Sequence, residues 1–329
     1  EGGGLFKPIS RESGLMLNNL ILAAATGSVL VGTLYPLFLE AVTGEKVSVG
    51  PPFFNITFVP IMLPLIFIMG IGPFLSWKRS DFKGVLQRLK FVAVLTVLAT
   101  LAAWYFISGG PVLGYVSIFF SVWLFLATVR EWALRIRLFE LPMATALRRA
   151  KGLPRAAHGM TLAHVGLSIA MFGFIGSSIW KSEEIAFVEP GSVVSIAGFE
   201  VTFNGVERVR GPNYFAERGS LSVKKDGKLV TTLFPERRNY PVAQSSTTES
   251  AIRSTLAGDL YASISEPSSK KARESGQWTL RILYEPLVNL IWVGSLILFL
   301  GGGVSLSDRR LRVGAPRPAV KDAQAVPAE

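Results

Sequence analysis

The chain has 329 residues, half of them apolar and only 17% charged, with a mean hydropathy of +0.41. An ordinary soluble domain carries about 25% charged residues, so a water-soluble globule is excluded, and the abundant apolar surface excludes a disordered chain. The absence of cysteine excludes disulfides and thiolate metal sites. The net charge of +11 does not mark a nucleic-acid binder, because the basic residues flank apolar spans, where they set membrane orientation.

The opening EGGGLFKPIS, beginning at Glu1, reads as the interior of a longer protein. Six segments then satisfy the roughly 20 apolar residues that a span needs. They are Leu15–Ala41, Phe53–Trp77, Phe91–Ile107, Val112–Val129, Ala156–Trp180 and Pro286–Ser307. The second holds Pro60, Pro64 and Pro73 and is expected to kink or break, which a helix bundle tolerates. Val49–Asn55 (VGPPFFN) precedes it. Its double proline is expected to fix an extended entry, either as plain punctuation or as part of a docking surface.

The charges divide by side. Lys78, Arg79, Lys83, Arg88 and Lys90 follow the second span. Arg130, Arg135, Arg137, Arg148, Arg149, Lys151 and Arg155 follow the fourth, and Arg309, Arg310, Arg312, Arg317 and Lys321 follow the sixth. The alternate connections are almost neutral. Short basic loops stay cytoplasmic, so both ends of the chain, including the basic tail 308–329, are expected on the cytoplasmic side. EWALRIRLFELP, from Glu131, is expected to be an amphipathic helix lying in the inner interface.

Residues 181–284 change character. Their charges nearly cancel, and apolar residues alternate, as in Phe199–Val209, with Gly198 and Gly205 as breaks. Asp226-Gly227 between two strand-like runs marks a hairpin. Five to seven short antiparallel strands are expected, as a small barrel or sandwich on the outer face. Gln244–Arg253 reads as a polar loop with one helical turn, and Ser265–Gly276 as a loop. The fold class is thus a polytopic α-helical membrane protein, five spans within 1–180 and a sixth within 285–307, with an inserted β domain.

Few residues can carry chemistry. No phosphate-binding loop, hydrolase elbow or zinc-protease motif is present. His158 and His164 are the two histidines. Six positions apart on a helix, they point about 240° away from each other round the axis and cannot jointly hold one ion. His158 lies near the basic end and reads as an interfacial polar residue. His164 lies about 9–12 Å deeper, among Leu162, Val165 and Leu167, where an imidazole needs a partner. That partner is either a hydroxyl of another helix or a ligand. Gly159, Ala163, Gly166, Ala170, Gly173 and Ser177 form a small-residue stripe that permits close helix contact. His164, Ser168, Met171 and Ile175 lie on another face, suited to lipid, a larger side chain or a planar macrocycle held by the imidazole.

RESGLMLNN, GTLYPLFLEAVTGEKVSVGPPFFN, HGMTLAHVGLSIAMFG, GPNYFAERGSLSV, LFPERRNYPVAQSSTTESAI, AGDLYASI and IWVGSLILFLGGGVSLSDRR, in this order, resemble the CcmF-type cytochrome c haem lyase subunit. The resemblance runs from about Gly4 to Arg312. It implies a complex of the bacterial inner membrane that attaches haem to the Cys-x-x-Cys-His motif of apocytochrome c. The haem chaperone CcmE and CcmH-type and CcmI-type subunits are its implied partners. It also implies a b-type haem between two intramembrane histidines, of which the histidine of LAH, His164, is one, bound as an axial ligand of the haem iron. No adjacent Trp-Trp and no third histidine are present, so the Trp-rich haem-handling segment and the second ligand are expected in an N-terminal half. The catalytic residues stay unknown. A membrane scaffold without its own haem and half of a transporter are the competing readings.

Overall fold

The computed structural model describes residues 8–107, 109–266 and 277–308. Among these residues seven helices and ten strands follow in chain order: α1 (Arg11–Thr43), α2 (Pro51–Ile71), α3 (Phe82–Phe106), α4 (Val112–Ile136), α5 (Met143–Gly152), α6 (Arg155–Ile179), then β1 (Ser182–Val188), β2 (Val193–Ile196), β3 (Phe199–Arg210), β4 (Phe215–Lys225), β5 (Lys228–Leu233), β6 (Glu236–Tyr240), β7 (Ser245–Glu249), β8 (Ala251–Thr255), β9 (Gly258–Ser265) and β10 (Trp278–Pro286), and α7 (Asn289–Leu306). All but α5 are long and apolar enough to cross a membrane.

Each helix end has a local cause. Ser10 caps α1 by accepting the Ser13 N–H at 3.2 Å, and Gly44 closes it in the left-handed region at φ 73°, its N–H on Glu40 O at 2.9 Å. At 33 residues α1 is about 50 Å long, more than a hydrocarbon core needs. The double proline does not form an extended entry. Gly50 is extended, but Pro51 and Pro52 already occupy the first helical turn, where a missing N–H costs nothing. Pro60 and Pro64 sit inside an unbroken α2, and the regular helix ends only at a 3₁₀ turn, Gly72–Phe74, that contains Pro73.

The segment from Glu131 is not a separate interfacial helix. Glu131 to Ile136 form the last turns of α4, and Glu131 is buried there, paired with Arg135 one turn on. A full turn of transmembrane helix thus carries charge that pairs within itself, which a hydropathy reading truncates.

The bundle is stitched at small residues. α6 and α7 pack antiparallel with their backbones almost touching. A Cβ added at Gly159 would lie 2.6 Å from Gly301 O, and one at Gly173 2.5 Å from Ile291 N. One at Gly166 would overlap the Leu298 N and Gly294 O. Gly294 and Gly301 answer in kind against Ala170 and Ala163. The expected stripe therefore forms this contact. α4 joins α6 through the Ser121 hydroxyl, which donates to Ser168 O at 2.8 Å. It joins α2 through Trp123, whose Nε1–H donates to Phe67 O at 3.0 Å while its ring covers Gly70.

Between α6 and α7 lies a β-sandwich. One sheet has the order β1-β10-β9-β8; the other runs β2-β3-β4-β6-β7, with β5 (Lys228–Leu233) also on β4 (Phe215–Lys225); every pairing is antiparallel. Ten strands are described rather than five to seven. Alternate residues Phe199, Val201 and Phe203 of β3 (Phe199–Arg210), Leu221 and Val223 of β4, Leu260, Ala262 and Ile264 of β9 (Gly258–Ser265), and Leu280 and Ile282 of β10 (Trp278–Pro286) fill one core. Asp226 (φ 51°) and Gly227 (φ 73°) make the two-residue hairpin turn, and Gly205 marks a bulge where the β3–β4 register shifts. The polar stretch 244–253 is not a loop: it supplies β7 (Ser245–Glu249) and β8 (Ala251–Thr255). Of the loop expected at Ser265–Gly276, residues 267–276 lie outside the described residues; Ser265 ends β9. The sandwich is moored to α7 by Asn289, whose amide donates to Thr255 O at 2.8 Å and to the buried Asp259 carboxylate.

Candidate intramembrane histidine cleft

His164 stands nine residues into α6, about 13 Å from its start. The α7 contact occupies one side of α6 and the Ser121–Ser168 bond fixes another. The imidazole is left facing α1 and α2. There it lines a cleft of about 290 Å³ with Met160 of α6, Arg11, Gly14, Leu15 and Asn18 of α1, and Ile68, Met69, Gly72 and Pro73 at the end of α2. The α1 residues fall at i, i+3, i+4 and i+7, one helical face. All three helices contribute the same end, the one where the basic connections gather.

The Nδ1 of His164 is buried without a hydrogen-bond partner among the described residues. Of the two readings of an intramembrane imidazole, the interhelical hydrogen bond is therefore not made from Nδ1. A buried polar atom left unpaired costs about 1–3 kcal/mol, and a partner brought from outside the described residues would relieve that cost. The cleft walls are mainly aliphatic, with thioethers from Met69 and Met160. Among the described residues they offer no carboxylate. The donor set suits a soft, apolar-bodied group with one imidazole ligand. A hard cation bound through several oxygens does not fit it, and among the described residues no three His, Asp or Glu side chains converge.

His158 has a separate place. Its Nε2–H donates to Ala150 O at 2.9 Å, closing the end of α5 against α6. It takes no part in the cleft, as the spacing on the helix requires.

The rim of the cleft is held by a compact set of bonds. The Arg11 N–H donates to Ser76 O at 3.1 Å and the Ser80 N–H to Ile9 O at 3.0 Å. The Glu12 carboxylate accepts the Lys78 N–H at 3.0 and 2.9 Å. The Arg11 guanidinium lies 5.1 Å from the Trp77 ring centroid. Sequence reasoning missed Arg11 and Asn18. Their signal was a polar residue at each end of a one-face repeat in the first two turns of an otherwise apolar span.

Fold and cleft together define a multi-pass helical membrane protein with an inserted antiparallel β-sandwich and a half-buried imidazole near one membrane face. Residues 179–286 match the family model described as the CcmF C-terminal beta-sandwich. The chain is 43% identical over 98% of its length to the cytochrome c-type biogenesis protein CycK of Rhizobium meliloti, covering 47% of that protein. It is 38% identical to CcmF of Pseudomonas aeruginosa (92% of this chain, 45% of that protein) and 34% identical to CcmF of Escherichia coli (92% and 44%). A solved structure titled cytochrome c heme lyase CcmF shares the fold, with a TM-score of 0.69 at 21% identity over 92% of this chain and 46% of that one. Over nearly its whole length the chain is thus similar to the CcmF and CycK cytochrome c-type biogenesis proteins. It spans about half the length of the curated relatives it matches.

Proposed function

We propose that this chain is the C-terminal part of a cytochrome c haem lyase subunit and that His164 is one axial ligand of a b-type haem seated in the α1–α2–α6 cleft. The observation that carries the reading is that His164 lines a largely apolar cleft and has no partner for its buried Nδ1 among the described residues. A second ligand comes from a segment beyond this chain, since His158 is engaged elsewhere. When bound, the haem supplies a one-electron couple within the membrane. The residues of this chain position it. The α6–α7 backbone contact fixes the rotation of α6 and so aims His164. The aliphatic wall from α1 and α2 keeps water from the imidazole.

Positive connections at the cleft end support a cytoplasmic side for that end and a periplasmic side for the β-sandwich, in a bacterial inner membrane. The sandwich, moored to α7 through Asn289, is assigned the docking of partners: the CcmE-type haem donor, CcmH-type and CcmI-type subunits, and apocytochrome c. Thioether formation needs the haem vinyl groups and the cysteine thiols held close, and positioning supplies much of such acceleration.

The test is His164→Ala in the full-length protein. The b-type Soret absorbance is lost, while co-purification of the CcmH-type subunit, assigned to the sandwich, persists. Unchanged haem content would overturn the ligand role. Loss of the partner together with the haem would overturn the separation of roles.

A further inference from the structure

Arg11 is the first residue of α1 and, among the described residues, the one cation on the cleft wall. No carboxylate of the described residues lies within ion-pair distance of it, although Glu12 is its neighbour in sequence; the Glu12 carboxylate accepts the Lys78 N–H instead. The backbone of Arg11 is pinned to Ser76, and its guanidinium rests over Trp77. The side chain is thus held in place before any ligand arrives, with its charge uncompensated. Facing it along the same cleft, His164 sits about two and a half turns into α6. The cleft therefore has polarity: an imidazole in the apolar interior, and a guanidinium at the rim, with Asn18 about two helical turns further along the α1 face.

The geometry points to Arg11 as the carboxylate anchor of this cleft. This inference rests on the haem reading of His164 and deepens it: the tetrapyrrole lies with its two carboxylate arms toward the basic end and its apolar edge toward the sandwich end. A guanidinium pairs with carboxylate through two parallel N–H···O bonds, which sets orientation as well as affinity. Arg11 is a binding residue here and takes no part in bond making. A phospholipid headgroup offers the same oxyanion chemistry, so the experiment must separate the two sources.

The full-length protein is produced in haem-deficient cells and titrated with haem and with haem dimethyl ester, in which both carboxylates are blocked. Wild type is expected to prefer the free acid by about tenfold or more, the weight of one charge-assisted pair. Arg11→Gln binds the two equally, and Arg11→Lys restores part of the preference. His164→Ala binds neither. If Arg11→Gln keeps the full preference, the anchor lies elsewhere and Arg11 serves a lipid headgroup or solvent. If Arg11→Gln loses the diester as well, Arg11 shapes the cleft and the carboxylate assignment is wrong. If His164→Ala binds haem as wild type does, the underlying haem reading fails. A His164-dependent site whose preference ignores Arg11 sinks only the present inference.

Discussion

The β-sandwich and the helix bundle are built from similar apolar side chains and treat them in opposite ways. In the sandwich, Phe203, Leu221, Val223, Leu280 and Ile282 are completely shielded, in a core shared by both sheets. In the bundle, Leu20, Phe38, Ile56, Trp104, Trp292 and Phe299 are among many large residues left open. Water surrounds the first region and has to be excluded by the fold. The second has open faces suited to acyl chains or further helices, and is held together by close backbone approach at glycines. The hydrophobic effect explains one region. Packing and hydrogen bonding explain the other.

The sharpest way to break this contrast is to remove the same kind of atoms from each side. Phe203→Ala empties the centre of the sandwich and is expected to cost about 3–5 kcal/mol. Limited proteolysis of the purified chain should then cut within 182–286 and leave α1–α6 intact. Equal protection of the sandwich in the variant would show that its core does not hold it. In the bundle the damaging change is an addition. Gly166→Val drives a side chain into the backbone of α7 at Gly294 and Leu298, with an expected cost of about 1–3 kcal/mol. Thermal unfolding in detergent should register it as a lowered midpoint, whereas Gly302→Val, where an added Cβ meets nothing within 4 Å, should leave the midpoint nearly unchanged.

The same contrast decides what could be read from the sequence. Apolar length and charge placement announced six spans, and the Asp226-Gly227 turn and Gly205 break announced their places in the sheets, because each is a local pattern with a local cause. Ser245–Glu249 did not read as a strand because it has no apolar residue at all; it lies at the edge of its sheet, largely exposed, and is held by backbone pairing to β6 (Glu236–Tyr240). The last turns of α4 were hidden because Glu131 is buried by an ion pair that hydropathy counts as a penalty. The cleft was half legible. One imidazole among aliphatic residues declared itself. That Arg11, from the far end of the sequence, shares its wall depends on the relative rotation of three helices, which no single-helix pattern encodes.

The smallest predicted effect sharpens the comparison through polarity. Glu236 is almost fully buried in the sandwich and accepts from Arg218 Nε at 2.7 Å and Arg238 Nε at 2.8 Å. Burial alone would raise its pKa; the hydrogen bonds and charges of Arg238 and Arg218 outweigh burial and hold it below the ordinary 4.5. A carboxylate depressed in the folded state stabilises that state above its unfolded pKa, and the contribution is lost as the pH falls through the folded value. Glu236→Gln keeps the shape and removes the charge. It should cost about 1–2 kcal/mol at neutral pH, measured by chemical unfolding of the sandwich. The gap between wild type and variant should close as the pH drops from about 5 through the depressed folded value, because below it the wild-type side chain is protonated and as neutral as the amide. Gly166→Val has no such titration, so its cost should stay constant over the same range. A Glu236→Gln penalty that persisted undiminished into strong acid would mean that shape, and not charge, holds this corner of the sandwich, and the two regions would then differ less than their interiors suggest.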